Sequence, residues 1–165
     1  MMTSAMLERA QESALPIRNG AFVAVVGPSG AGKDTLIAHA KAALSEEPQV
    51  DFVRRVITRS CDGSTEIHDS MSDAEFVEAE KKGAFALSWE AHGLRYGIPS
   101  SVDGALHAGH VAIANLSRGA LPALRERYAN VAVVEVTADP EILASRLAGR
   151  GRETKEEILS RLART

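Results

Sequence analysis

Apolar positions along this chain change period several times, and each change predicts an element. "AFVAVVG" (Ala21–Gly27) is a continuous apolar run ending on glycine, the pattern of a strand buried on both faces in a parallel sheet. From Gly32 the period turns helical, with Leu36, Ile37, Ala40, Ala43 and Leu44 along one side. "VDFVRRVIT" (Val50–Thr58) predicts a second strand, and Cys61–Ser72 reads as a polar loop. "SDAEFVEAEKKG" predicts a helix, with Ser72 and Glu75 at capping-box spacing and Gly83 as its stop. "FALSW" (Phe85–Trp89) and "LRYGIP" (Leu94–Pro99) predict a hairpin around "EAHG". "HVAIAN" (His110–Asn115) predicts another buried strand and "VAVVEVTA" (Val131–Ala138) a last clear strand, separated by a helix through "LPALRERYA" with Pro122 in its first turn. Asp139 and Pro140 open another helix that stops near Gly149–Gly151. A last helix is capped by Thr154, with Glu157 three residues on. Residues 1–20 contain no signal-peptide apolar core and predict a loosely held extension, with a short helix at Met6–Ala14 ended by Pro16.

Strands alternating with helices predict an α/β fold around a parallel sheet, with ligands beyond the carboxyl ends of the strands. Gly27, Asn115 and Ala138 all fall at such ends. The first of them opens "GPSGAGKDT", which fits a phosphate-binding loop except after its lysine. The usual pattern, G-x-x-x-x-G-K followed by Ser or Thr, uses that hydroxyl to hold Mg²⁺. Here Asp34 follows Lys33, and Thr35 comes one residue late. Gly27, Gly30 and Gly32 free backbone N–H groups to face phosphate oxygens, and a helix N-terminus adds partial positive charge. Gly27, Pro28, Ser29, Gly30, Ala31, Gly32, Lys33, Asp34 and Thr35 are therefore the expected nucleotide-binding residues. Lys33 bridges the terminal phosphates.

A carboxylate beside a triphosphate is repulsive unless a cation intervenes, so Asp34 is the expected Mg²⁺ ligand. Capping of the helix start is its second reading. The usual partner in such a metal site is an aspartate at the end of a neighbouring strand, where this chain has the neutral Asn115. Asp34 thus compensates for a charge that Asn115 does not supply.

Composition alters this picture at three points. The formal net charge of −3 argues against nucleic-acid binding through bulk charge, so any anion is met by locally gathered cations. Those cations are mostly arginine, 14 against 5 lysines. Arg146, Arg150 and Arg152 flank glycines in "SRLAGRGRE", which suits a lid (146–153) closing over a transferring phosphate. The single cysteine, Cys61, excludes an internal disulfide and fits a reducing compartment, and no apolar run is long enough to span a membrane. The expected location is cytoplasmic.

"GPSGAGK", "ITR", "YGIP" and "RLAGRGRE" resemble the guanylate kinase superfamily of P-loop phosphotransferases. "GKDT", "VITR", "EIH", "ALSWEAHGLRYGIP", "NLSR" and "RGRE" resemble its ribose 1,5-bisphosphate phosphokinase branch, over roughly Ala21 to Arg164. The resemblance implies a P-loop kinase three-layer fold with a parallel central sheet, a small substrate-binding insertion (58–99) and an Arg-rich lid, as one domain over 21–165. It implies ATP and Mg²⁺, a phosphorylated sugar as substrate, and 5-phosphoribosyl 1-diphosphate as product, in phosphonate breakdown. A guanylate pocket would carry a second arginine and a tyrosine after "TTR". "ITRSCDGSTEIHDS" has neither, which argues against GMP. Arg59, Arg118, His68 and Tyr96 are the expected phosphate grips, with Asn115 and Ser117 beside them and Glu66 near the ribose hydroxyls. Arg54 and Arg55 alternate along a predicted strand, so at most one faces the site. Trp89 and His92 are read as packing or hairpin residues. The family pattern continues past "RLART" into a further strand and helix that this sequence does not contain, so Val131–Ala138 is expected to be an exposed sheet edge open to self-association. The alternatives are a nucleoside monophosphate kinase with relaxed base recognition, and a non-catalytic guanylate-kinase-like binding module.

Overall fold

Four parallel strands build the main sheet in a computed structural model that describes residues 16–59, 69–149, 151 and 154–162. β1 (Ala21–Val26) lies between β7 (Val111–Asn115) and β8 (Val131–Glu135), and β2 (Val50–Phe52) pairs the far side of β7. The order is β2-β7-β1-β8, all parallel. β1 is central because its side chains are apolar on both faces. Phe22, Ala24, Val25 and Val26 are all buried. Phe22 stacks on Tyr128, and Leu106, Leu116 and Leu124 close the same core. Each large side chain sealed there contributes about 1.5–3 kcal/mol from burial.

A second, smaller sheet has the order β4-β3-β6-β5. β5 (Phe85–Ala91) and β6 (Leu94–Pro99) form the expected hairpin, longer at its first strand, with His92 and Gly93 turning at φ 53° and 73°. β3 (Val56–Ile57) pairs antiparallel with β6 and parallel with β4 (Asp69–Ser70).

The single strand expected over Val50–Thr58 is two strands in different sheets. β2 leaves the parallel sheet after Phe52, Val53 N donates to Ile113 O at 2.9 Å, and the chain crosses through Arg54 and Arg55 before β3 begins. Apolar and β-branched residues on both sides of the joint hide it from the pattern. Within the expected loop Cys61–Ser72, residues 69–70 form β4, and residues 60–68 lie outside the described residues.

The helices are α1 (Lys33–Ala43), α2 (Asp73–Lys81), α3 (Ser101–His107), α4 (Leu121–Arg127), α5 (Pro140–Ala148) and α6 (Lys155–Leu162). α3 was not anticipated. It is short and carries Gly104, yet Val102 and Leu106, four apart, seal one face. α1 departs from its expected role as a core helix. It lies against β7, but none of its residues is buried, and Leu36 is 44% exposed. Only Ile37 and Ala40 of its apolar set are half-buried. Of the expected N-terminal extension, Ile17 is fastened to the body: its N–H donates to Arg127 O, and Ala129 N–H donates back to Ile17 O, both at 2.9 Å. Residues 1–15, with the expected helix at Met6–Ala14, lie outside the described residues.

Candidate active site

The loop after β1 is shaped by how closely the backbone approaches its neighbours. Gly27 has φ 144°, and a Cβ there would lie 2.1 Å from the Val136 carbonyl oxygen, so the turn off the strand admits only glycine. The chain then folds back, with Ala31 N–H donating to Pro28 O at 3.2 Å, and enters α1 through Gly32 in the left-handed region. Gly30 and Ala31 are buried, while Ser29 and Thr35 are exposed at the rim. Lys33 Nζ donates to Gly27 O at 2.8 Å and to Pro28 O at 3.0 Å, which holds its ammonium over the loop. A helix N-terminus and a lysine ammonium meet at this glycine-rich loop, the elements from which anion sites are built.

Asp34 does not cap the helix. The N-cap is Gly32, with no side-chain capping bond. The Asp34 carboxylate accepts instead from Asn115 Nδ2 at 2.8 Å, across the gap between α1 and the end of β7. The two residues singled out in the sequence as paired anomalies therefore touch. Asn115 is buried, and its Oδ1 has no hydrogen-bond partner among the described residues.

Behind Asn115 stands a stack of rings. Arg55 lies over Tyr96, 5.2 Å from the ring centroid, and its Nη1 is 3.4 Å from Asn115 O. Tyr96 stacks on Trp89 at 5.4 Å and 7°. Trp89 Nε1 donates to Ser117 Oγ at 2.9 Å. The ladder ties the small sheet to the segment after β7 and brings Arg55, Tyr96, Asn115 and Ser117 together. Arg118 sits one residue on, with Nη1 3.7 Å from Glu135 Oε1 at the end of β8. From α5, Arg146 Nη1 donates to Gly30 O at 3.3 Å, so the first arginine of the expected lid already touches the loop.

Arg59 lies past β3, where its carbonyl accepts from Ser70 Oγ at 2.7 Å. Glu66, His68, Arg150 and Arg152 lie outside the described residues. Of Arg54 and Arg55, at most one of which was expected to face the site, Arg55 is the one beside Asn115, and Trp89 was read only as a packing or hairpin residue. Strand parity left Arg54 and Arg55 as equals, and the pairing of Arg54 with Asp69 at 2.8 Å on the exposed side separates them. Trp89 is a hairpin residue as expected, but its indole N–H also fixes Ser117, and nothing in the local pattern signals that.

A glycine-rich loop and lysine at the carboxyl edge of a parallel sheet, beside a small mixed sheet, define a guanylate kinase-like P-loop fold. The crystal structure of guanylate kinase from Anaplasma phagocytophilum superposes with a TM-score of 0.64 at 17% identity, covering 88% of this chain and 84% of that one. No protein-family model matches. The chain is 54% identical over 145 residues to the "Ribose 1,5-bisphosphate phosphokinase PhnN" of Brucella melitensis biotype 2, which covers 88% of this chain and 76% of that protein. It is 54% identical over 144 residues to the protein of that name in Agrobacterium fabrum, covering 87% and 79%. The identity is 50% over 166 residues for Chelativorans sp., covering 99% and 79%. The chain belongs to the ribose 1,5-bisphosphate phosphokinase family.

Proposed function

We propose that this chain transfers the terminal phosphoryl group of ATP to ribose 1,5-bisphosphate, giving 5-phospho-α-D-ribose 1-diphosphate and ADP. The observation that carries the reading is the identity of half or more to relatives named for that activity, over a stretch that contains the whole loop Gly27–Thr35. A terminal phosphate oxygen of the sugar attacks the phosphorus, and the bond to the ADP oxygen breaks. That oxygen is already a nucleophile, so no side chain has to act as a general base.

Catalysis is then positioning and charge neutralisation. The loop N–H groups hold the phosphates of ATP, Lys33, already held over the loop, neutralises the terminal phosphates, and Arg146, Arg150 and Arg152 surround the group in transfer. The donor set suits Mg²⁺: the carboxylate of Asp34 and the rim hydroxyl of Thr35 are hard oxygen donors, with the buried amide of Asn115 beside them. Such an ion binds through one or two carboxylates plus substrate phosphates, and it supplies neutralisation of phosphate charge.

Arg55, Arg59, Tyr96, Ser117 and Arg118, with His68, grip the sugar phosphates, and Glu66 lies near the ribose hydroxyls. Among the described residues no helix is long and apolar enough to cross a membrane. The reading places the enzyme in the cytoplasm, acting on a small phosphorylated sugar and not on nucleic acid, with a role in phosphonate breakdown. The deciding experiment offers ATP and Mg²⁺ with either ribose 1,5-bisphosphate or GMP. Turnover of the sugar without turnover of GMP is expected, and comparable GMP turnover defeats the reading.

A further inference from the structure

Asn115 is the one buried polar residue among the described residues, 7% exposed, and it is only half satisfied. Its position explains why it is buried. It ends β7 beside Val25 of β1, where the main sheet meets the loop. Its Nδ2 donates to Asp34 Oδ1 at 2.8 Å, and its Oδ1, sealed and unpartnered, belongs to the same side chain in the same gap. A sealed acceptor without a donor is unfavourable, and in native proteins a water or an ion's hydration shell is among the partners that satisfy such an atom.

The pair also reverses the usual polarity of a P-loop metal site. There the loop contributes a hydroxyl and the strand a carboxylate. Here the loop contributes the carboxylate and the strand an amide. The site retains one negative group and one hydrogen bond, but charge and donor have changed places. The exchange is constrained electrostatically. An aspartate at 115 would set two carboxylates in contact, and they could not both ionise without a cation between them. With an amide at 115, the Asp34 carboxylate faces a hydrogen-bond donor and is held by it, where an aspartate would present a second carboxylate.

We infer that Asn115 is the positioning residue of the divalent-cation site: its amide aims the Asp34 carboxylate, and its free oxygen accepts a hydrogen bond from a water held by the cation. This rests on the nucleotide-and-metal part of the function proposed above, and assigns Asn115 to the cation rather than to the sugar.

The test uses the full chain, ATP and Mn²⁺, with no sugar present. ATP affinity is measured in EDTA and in Mn²⁺, and the ratio of the two reads the cation's contribution alone. Asp34→Asn is expected to lower that ratio about tenfold or more, with metal-free ATP binding unchanged or tighter because a carboxylate near the phosphates is gone. Asn115→Leu keeps the branched shape and removes both polar atoms, and is expected to lower the ratio about tenfold, as for residues that orient a metal ligand. The double variant Asp34→Asn, Asn115→Asp restores the usual polarity and is expected to recover part of the loss. An unchanged ratio in folded Asn115→Leu overturns the inference. If that variant does not fold, the double variant decides, since a ratio no better than that of Asp34→Asn alone also overturns it. Failure of the sugar reading shows only in the turnover experiment, so the two results are separable.

Discussion

At the residue scale the phosphate loop makes the sharpest demands. Lys33 is held by two carbonyls of its own loop, so its charge is in place before phosphate enters. Lys33→Ala is expected to lower turnover roughly a hundredfold or more, the loss when a few kcal/mol of transition-state stabilisation is removed. Near-normal kcat in that variant would end the loop's catalytic role. Arg54 and Arg55 give a contrast between neighbours. Arg55→Leu is expected to raise KM for the sugar roughly tenfold, since a hydrogen bond to a charged group contributes about 1.5–3 kcal/mol, and to spare KM for ATP. Arg54→Leu removes only an exposed ion pair with Asp69 and is expected to change neither. Equal effects of the two changes would contradict the assignment. The loop and the Asp34–Asn115 pairing were legible in the sequence because they break a known spacing in two places at once. Arg55 was not, because period alone cannot say which of two adjacent arginines turns inward.

At the element scale, caps and continuous apolar runs were legible, and junctions were not. The Ser72–Glu75 box at α2 is complete, with Ser72 N donating to Glu75 Oε2 at 2.8 Å and Glu75 N donating to Ser72 Oγ at 3.3 Å. The Thr154–Glu157 box repeats it at α6, where Ile158 packs on Ala144 and Leu147 of α5. α3 and the break between β2 and β3 depend on contacts distant in sequence, with β6, β7 and the Phe22–Tyr128 core. A local window carries no sign of them. The α2 box makes stability depend on pH. Hydrogen bonds from the Ser72 backbone and then its side chain hold the Glu75 carboxyl below its ordinary value of 4.5. A depressed carboxyl stabilises the fold above its unfolded value, and the contribution disappears as pH falls through the folded value. Glu75→Gln is therefore expected to flatten the loss of stability below pH 4.5 without altering the sign at neutral pH. Ser72→Ala is expected to cost about 1 kcal/mol at neutral pH. Denaturant titrations of both variants at pH 7 and in acid check this, and identical acid profiles for wild type and Glu75→Gln would refute it.

At the scale of the whole molecule, the parallel sheet has one side that no described strand covers. β8 pairs with β1 along one edge and with no other strand among the described residues. Val133 and Val134 are 37% and 40% exposed, and Leu36 on α1 adds a further exposed apolar side chain. Glu135 is the only charge in the strand, and it lies at the end, near Arg118. A bare apolar edge with its N–H and C=O row open is a template for pairing, and a lysine is the usual guard against it. We expect two copies of this chain to associate through β8. Val133→Lys places a charge in the middle of the edge, away from the loop, Asn115 and the ring stack, so it leaves the nucleotide site intact. Sedimentation of the wild type should show a concentration-dependent dimer, and Val133→Lys should shift it to monomer with ATP affinity unchanged. A wild type that stays monomeric throughout the micromolar range, or a dimer that Val133→Lys leaves untouched, would remove β8 as the interface.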